Sequence, residues 1–129
     1  MQATIVFQEH PISSTAFHDR VLRSARVLQS AGINAGAVVA LMMRNSPQML
    51  ELMLATRWLG AMWCPINWHF KTDEVQYILD DSGARAWVVD ADLLQKLTGL
   101  RHTAVATFVH DSTGANRHAG DPAPRNWTQ

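Results

Sequence analysis

Residues 45–89, NSPQMLELMLATRWLGAMWCPINWHFKTDEVQYILDDSGARAWVV, hold the alternation that decides the fold. Ser46-Pro47 opens a helix, with a hydroxyl cap ahead of a residue whose missing N–H costs nothing at the first helical position. Gly60 closes that helix, which is apolar almost all round (Met49, Leu50, Leu52, Met53, Leu54, Trp58) and is therefore expected to be heavily buried. Residues 61–66 return as a strand that runs into Pro65-Ile66-Asn67. Thr72 is the expected cap of a second helix, with Asp73 and Glu74 favoured by the dipole of its first turn. Val75, Ile78 and Leu79 form its inward stripe, Ser82-Gly83 ends it, and residues 86–89 make the next strand.

The same grammar extends in both directions. Upstream, residues 38–43 (VVALMM) are apolar without alternation, which suits a strand covered on both faces. Before it, a helix is expected from Ser14 or Thr15 to about Ala31. Phe17, Val21, Ala25 and Leu28 fall at helical spacing, Gly32 is a left-handed stop, and Ile33 can fold back on the last turn. Ile5-Val6-Phe7 and Pro11-Ile12-Ser13 read as a small hairpin, with Pro11 limiting its pairing. Downstream, residues 91–97 read as a short helix and 103–109 as a last strand. Strands and helices alternating at this spacing imply an α/β fold, an open and mostly parallel sheet with helices on both faces. From His110 the texture is polar and rich in Gly and Pro, so residues 1–109 are expected to form the α/β unit and 110–129 a loosely ordered tail.

Composition narrows the partners. The 129 residues are 47% hydrophobic and 17% charged, a globular balance. Eleven Lys and Arg match eleven Asp and Glu without a basic stripe, which argues against nucleic acid or an anionic membrane. Cys64 is the single cysteine, so no internal disulfide framework exists. MQATIVFQEH lacks the pattern of a secretory signal, and Glu51, Arg57 and Gly60 interrupt the richest apolar run, so a cytoplasmic protein without a transmembrane segment is expected.

Chemistry-bearing patterns are scarce. Neither G-x-G-x-x-G nor G-x-x-x-x-G-K-[ST] occurs, and Ser112-Thr113-Gly114-Ala115 lacks the later glycine and lysine of a phosphate loop. His69 follows a strand, where α/β proteins place ligand contacts, but between Trp68 and Phe70 it reads as a loop residue. His10, His18, His102, His110 and His118 show no metal-ligand spacing. Asp80-Asp81 reads as a solvated helix end rather than an acid–base pair. Cys64 is expected to be a small hydrophobe in a buried strand, the methionines 42, 43, 49, 53 and 62 core, and the tryptophans core except Trp127.

With those landmarks in hand, the chain resembles the N-terminal region of adenylate-forming acyl-CoA synthetases, the AMP-dependent synthetase/ligase superfamily. The resemblance rests on Ala31-Gly32, Asn45-Ser46-Pro47, Pro65-Ile66-Asn67 and the run from Glu74 to Ala84, EVQYILDDSGA, and covers roughly residues 5–97. Asn67-Trp68-His69 is similar to the variant seen in fatty-acyl and related synthetases. The resemblance implies ATP, magnesium and CoA for the intact enzyme, which makes an acyl-adenylate that the CoA thiol then attacks. The family's Thr/Ser/Gly-rich loop ending in Pro-Lys-Gly, its later acyl-adenylate motifs and its lysine-bearing C-terminal domain have no counterpart among the 129 residues. Catalytic, cofactor-binding and metal residues are therefore assigned to none of these positions, and no cofactor is expected to bind this chain alone. The expectation is a truncated, inactive N-terminal part of an acyl-CoA synthetase. The alternatives are a stand-alone binding or oligomerisation module, or one half of a split ligase. The expected partner is the missing remainder of the enzyme, or a second copy meeting it through exposed apolar surface.

Overall fold

The computed structural model describes residues 4–7, 10–101, 105–111 and 125–126. Its centre is a parallel sheet built from β3 (Val38–Met42), β4 (Met62–Pro65), β5 (Ala86–Asp90), β6 (Ala106–His110) and the two-residue β7 (Arg125–Asn126), in the order β4-β3-β5-β6-β7. A separate antiparallel hairpin pairs β1 (Thr4–Phe7) with β2 (His10–Ser13), Val6 opposite Pro11.

Register sorts the side chains into two cores. Val39, Leu41 and Met43 lie with Val88 and Phe108 on the face covered by α1 (Ser14–Ser30) and α2 (Pro47–Trp58). Ala40 and Met42 lie with Trp87 and Val89 on the face covered by α3 (Thr72–Ser82) and α4 (Ala91–Lys96). The expected α/β architecture, a parallel sheet with helices on both faces, is what the chain adopts. β3 and β5 read as continuous apolar runs because neither has a wet face. Each fully buried Leu, Val or Met contributes about 1.5–3 kcal/mol, so this two-sided burial dominates the stability of the unit.

Local signals set most boundaries. Ser46 Oγ accepts the Met49 N–H at 3.2 Å with Pro47 at the head of α2. α1 ends with the Gly32 N–H on the Gln29 carbonyl and the Ile33 N–H on the Leu28 carbonyl, Gly32 at φ +89° and Ile33 fully buried on the last turn. Two caps differ from expectation. Ser13, still extended, caps α1 by accepting from the Ala16 N–H, and Ser14 is already helical. Lys71, not Thr72, precedes α3, and Glu74 Oε1 accepts the Lys71 N–H at 3.3 Å; Thr72 is the first helical residue.

Larger departures concern burial. α2 buries only Glu51, Leu52, Ala55 and Thr56, and leaves Leu50, Leu54 and Trp58 at 37%, 42% and 64% exposure. The helix rests on the sheet and on α1, and a third side of a cylinder then faces outward. β4 is the edge strand, bonded within this sheet only to β3, so Met62 and Trp63 are exposed and Cys64 is half-buried rather than core. Of the tryptophans only Trp87 is buried among the described residues, since Trp58, Trp63 and Trp68 sit on a helix back, an edge strand and a loop. His110 belongs to β6 rather than to a tail, and Arg125–Asn126 pair with Phe108 and Val109. Tail residues 112–124 and 127–129, with His118 and Trp127 among them, lie outside the described residues, as do His102 and the expected start of the last strand at Thr103.

Ser46→Ala removes the one side-chain acceptor at the head of α2 and is expected to lower stability by about 1 kcal/mol, read as an earlier urea midpoint with an unchanged slope.

Candidate functional site

From β3 the chain passes through α2 to β4 on one side, then returns through α3 to β5 on the other. The carboxyl ends of β3 and β5 therefore flank the point where strand order reverses, the crevice in which open α/β sheets receive ligands. Five polar or aromatic residues meet there: Arg44, Trp68, Asp90, Asp92 and His110.

Asp90 ends β5 with its side chain 5% exposed, and its polar partners compensate for that burial. Its Oδ2 accepts the backbone N–H of Arg44 at 3.0 Å and lies 3.4 Å from Arg44 Nη1. Its Oδ1 lies 2.9 Å from Nδ1 of His110, its register partner on β6 and itself 4% exposed. An ionised carboxylate only accepts, so Nδ1 then carries the hydrogen. The Arg44 guanidinium also grips Asp92 with both nitrogens, at 2.9 and 2.7 Å, and stands 5.0 Å from the centre of the Trp68 ring. The hydrogen bond from Arg44 holds the Asp92 carboxyl below its usual range, and the same bond raises the Arg44 guanidinium further.

A His–Asp pair is the base and orienting half of a nucleophilic triad. Here both members are buried and Asp90 is committed to the Arg44 backbone just beyond β3 and to the His110 side chain on β6, so the pair ties the carboxyl ends of β3, β5 and β6 together. The open space lies beside it. A cavity of 810 Å³ runs from Met42 past Trp68 and His69 to Lys71 at the head of α3 and to Lys96 and Leu97 at the end of α4. Its lining combines apolar Met42, Leu93 and Leu97 with two lysines and one carboxylate, Asp73.

Of the residues weighed from sequence, His69 lines this cavity, exposed, with its ring stacked on Trp68 at 3.7 Å and its N–H donated to Asn67 Oδ1. His110 enters the cluster and His18 packs edge-on to Trp58, far from it in the chain's other helical layer. Asp80 and Asp81 are exposed at the end of α3, Asp80 accepting from Gln76 Nε2. Among the described residues no group of three His, Cys, Asp or Glu is placed to hold a metal, and no helix is long and apolar enough to cross a membrane. Arg44, Asp90 and Asp92 were not singled out by pattern. A charged residue directly after each of two wholly apolar strands was the available signal.

The fold and its carboxyl-edge site define an open parallel α/β subdomain. The AMP-binding enzyme family matches residues 2–127, and this chain belongs to it. It is 31% identical over 96 residues to tyrocidine synthase 3 of Brevibacillus parabrevis, which covers 74% of this chain and 2% of that protein. It is 40% identical over 75 residues to the 2-succinylbenzoate–CoA ligase of Geobacillus kaustophilus, 58% of this chain and 15% of that one. Among solved structures, a Mycobacterium tuberculosis fatty acyl CoA synthetase superposes with a TM-score of 0.69 at 28% identity, over 78% of this chain and 21% of that chain. The chain thus spans a small part of the length of each relative.

Asp90→Ala leaves a buried imidazole and the Arg44 N–H without their acceptor and is expected to cost about 3 kcal/mol in chemical denaturation. Asp92, half-exposed, is expected to matter by less than about 1 kcal/mol. Because its folded pKa is lowered, that contribution is complete above the ordinary carboxylate range and is lost as pH falls through the lowered value. Asp92→Asn should flatten this acid limb of a stability–pH profile and leave the neutral region nearly level.

Proposed function

We propose that this chain supplies the N-terminal portion of an ATP-dependent acid–thiol ligase of the acyl-CoA synthetase type, acting on a fatty acid or related carboxylate, and that it does not catalyse alone. The observation that supports this reading is the family match over residues 2–127 combined with the 21% share of the fatty acyl CoA synthetase chain that the segment covers. In the intact ligase, ATP and magnesium would activate the carboxylate as its adenylate and CoA would take the acyl group. The part of this chain nearest that chemistry is the cavity edged by Lys71, Asp73 and Lys96, whose one net positive charge suits an anionic ligand. The α/β unit acts as the structural subdomain, and a cytoplasmic setting, where ATP and CoA are supplied, belongs to the same reading.

A second reading is favoured by one specific finding, the identity to tyrocidine synthase 3. On it the parent protein is a peptide-synthetase adenylating unit, and the activated carboxylate is an amino acid.

ATP–pyrophosphate exchange separates these possibilities. The chain alone is expected to give no exchange with fatty, aryl or amino acids, and exchange by the isolated chain would sink the proposal. Joined ahead of the part of the M. tuberculosis synthetase that follows its matched segment, the chain is expected to support exchange with fatty acids. Failure of that fusion with every acid would count against the ligase reading.

A further inference from the structure

Arg44 does not line the 810 Å³ cavity, yet its side chain touches both of the elements that wall it. One wall is the loop between β4 and α3, which contributes Trp68, His69 and Phe70. The other is α4 with the turn after it, which contributes Leu93, Lys96 and Leu97. The guanidinium stands 5.0 Å from the centre of the Trp68 ring, within the reach of a cation–π contact. Its two terminal nitrogens grip Asp92, in the first turn of α4, at 2.9 and 2.7 Å. The root of the side chain is fixed as well, since the Arg44 N–H donates to the buried Asp90 carboxylate at 3.0 Å.

The loop has order of its own: Asn67 accepts the His69 N–H on Oδ1 and the Phe70 N–H on its carbonyl, and the His69 ring stacks on Trp68. Those contacts shape the loop but do not set its distance from α4. Building on the reading of this cavity as the part of the chain nearest the ligase chemistry, we propose that Arg44 is a positioning residue, a strut that holds the Trp68 wall and the α4 wall at a fixed separation through cation–π contact on one side and Asp92 on the other. The planar fork of an arginine suits this task, because a two-bonded carboxylate fixes direction as well as distance. An anionic ligand with an apolar body then meets walls already in place, and the cost of ordering them on binding is removed. The role is separate from stability, to which the half-exposed Asp92 pair adds little.

Proton NMR of the whole chain tests the strut. The carbon-bound protons of the His69 imidazole, whose centre lies 3.7 Å from that of the Trp68 ring, are displaced upfield by the indole ring current, and His69→Gln assigns them. Arg44→Gln and Asp92→Ala are each expected to remove most of that displacement, and the double variant to do no more than either, since both cut the same strut. Ser13→Ala removes the cap of α1, costs at least as much stability, and is expected to leave the resonance in place. Anilinonaphthalene sulfonate, an apolar aromatic anion, serves as the ligand probe, with binding counted only where it shifts the His69 resonance. Its Kd is expected to rise about tenfold in both variants, the cost of ordering the walls on binding. A His69 resonance that Arg44→Gln or Asp92→Ala leaves unmoved overturns the proposal, and so does movement of the same size in Ser13→Ala or a probe affinity equal in wild type and variants. A resonance that moves as expected in a chain that takes no probe supports the strut and removes the anionic-ligand reading of the cavity. None of these results depends on exchange by the fusion, so the ligase reading stands or falls separately.

Discussion

β3 and β5 run side by side through the middle of the sheet with Val39 to Met42 and Ala86 to Asp90 all buried. A strand with no wet face cannot be stable until apolar layers cover it on both sides. That requirement puts α1 and α2 on one side, α3 and α4 on the other, and makes each connection a crossover rather than a hairpin. The strand order follows, with α3 carrying the chain back past β3 to reach β5. The reversal of order between β3 and β5 is the geometric origin of the candidate site.

Asp90 is where this apolar arrangement meets its polar boundary. A carboxylate buried at the end of a central strand is tolerable only with its lone pairs engaged, and Arg44 and His110 engage them from the strands on either side. The crevice that the topology creates is thus filled by the chain's own charges, and the space able to take a ligand is displaced to the cavity under Trp68 and His69. Lys71, Asp73 and Lys96 give that cavity a charged edge beside Met42, Leu93 and Leu97.

The two helical layers differ in how finished they are. Val75 and Leu79 of α3 are buried while its outer positions are polar apart from Tyr77, the pattern of an ordinary surface helix. α2 has apolar residues in every direction and uses only one flank of them against the sheet and α1. α2 is thus composed for burial all round yet covered on only part of its circumference.

Element order, class and the Ser46 cap were legible because they depend on short-range chemistry: a hydroxyl before Pro47, glycines at 32, 60 and 83 in the left-handed region, and apolar runs at 38–43 and 86–89. The same local punctuation carried the family likeness. Burial was read less well, since Trp58, Met62, Trp63 and Trp87 look alike in sequence and only Trp87 lies between two covered strands. The Asp90 cluster was not legible, because its partners are 46 and 20 residues away and become neighbours only when β3, β5 and β6 align. By itself the sequence determined which elements form, their order and the family to which they belong. Which apolar side chains are covered, and which charges meet at the sheet's carboxyl edge, was decided by strand order, a long-range property that no local pattern encodes.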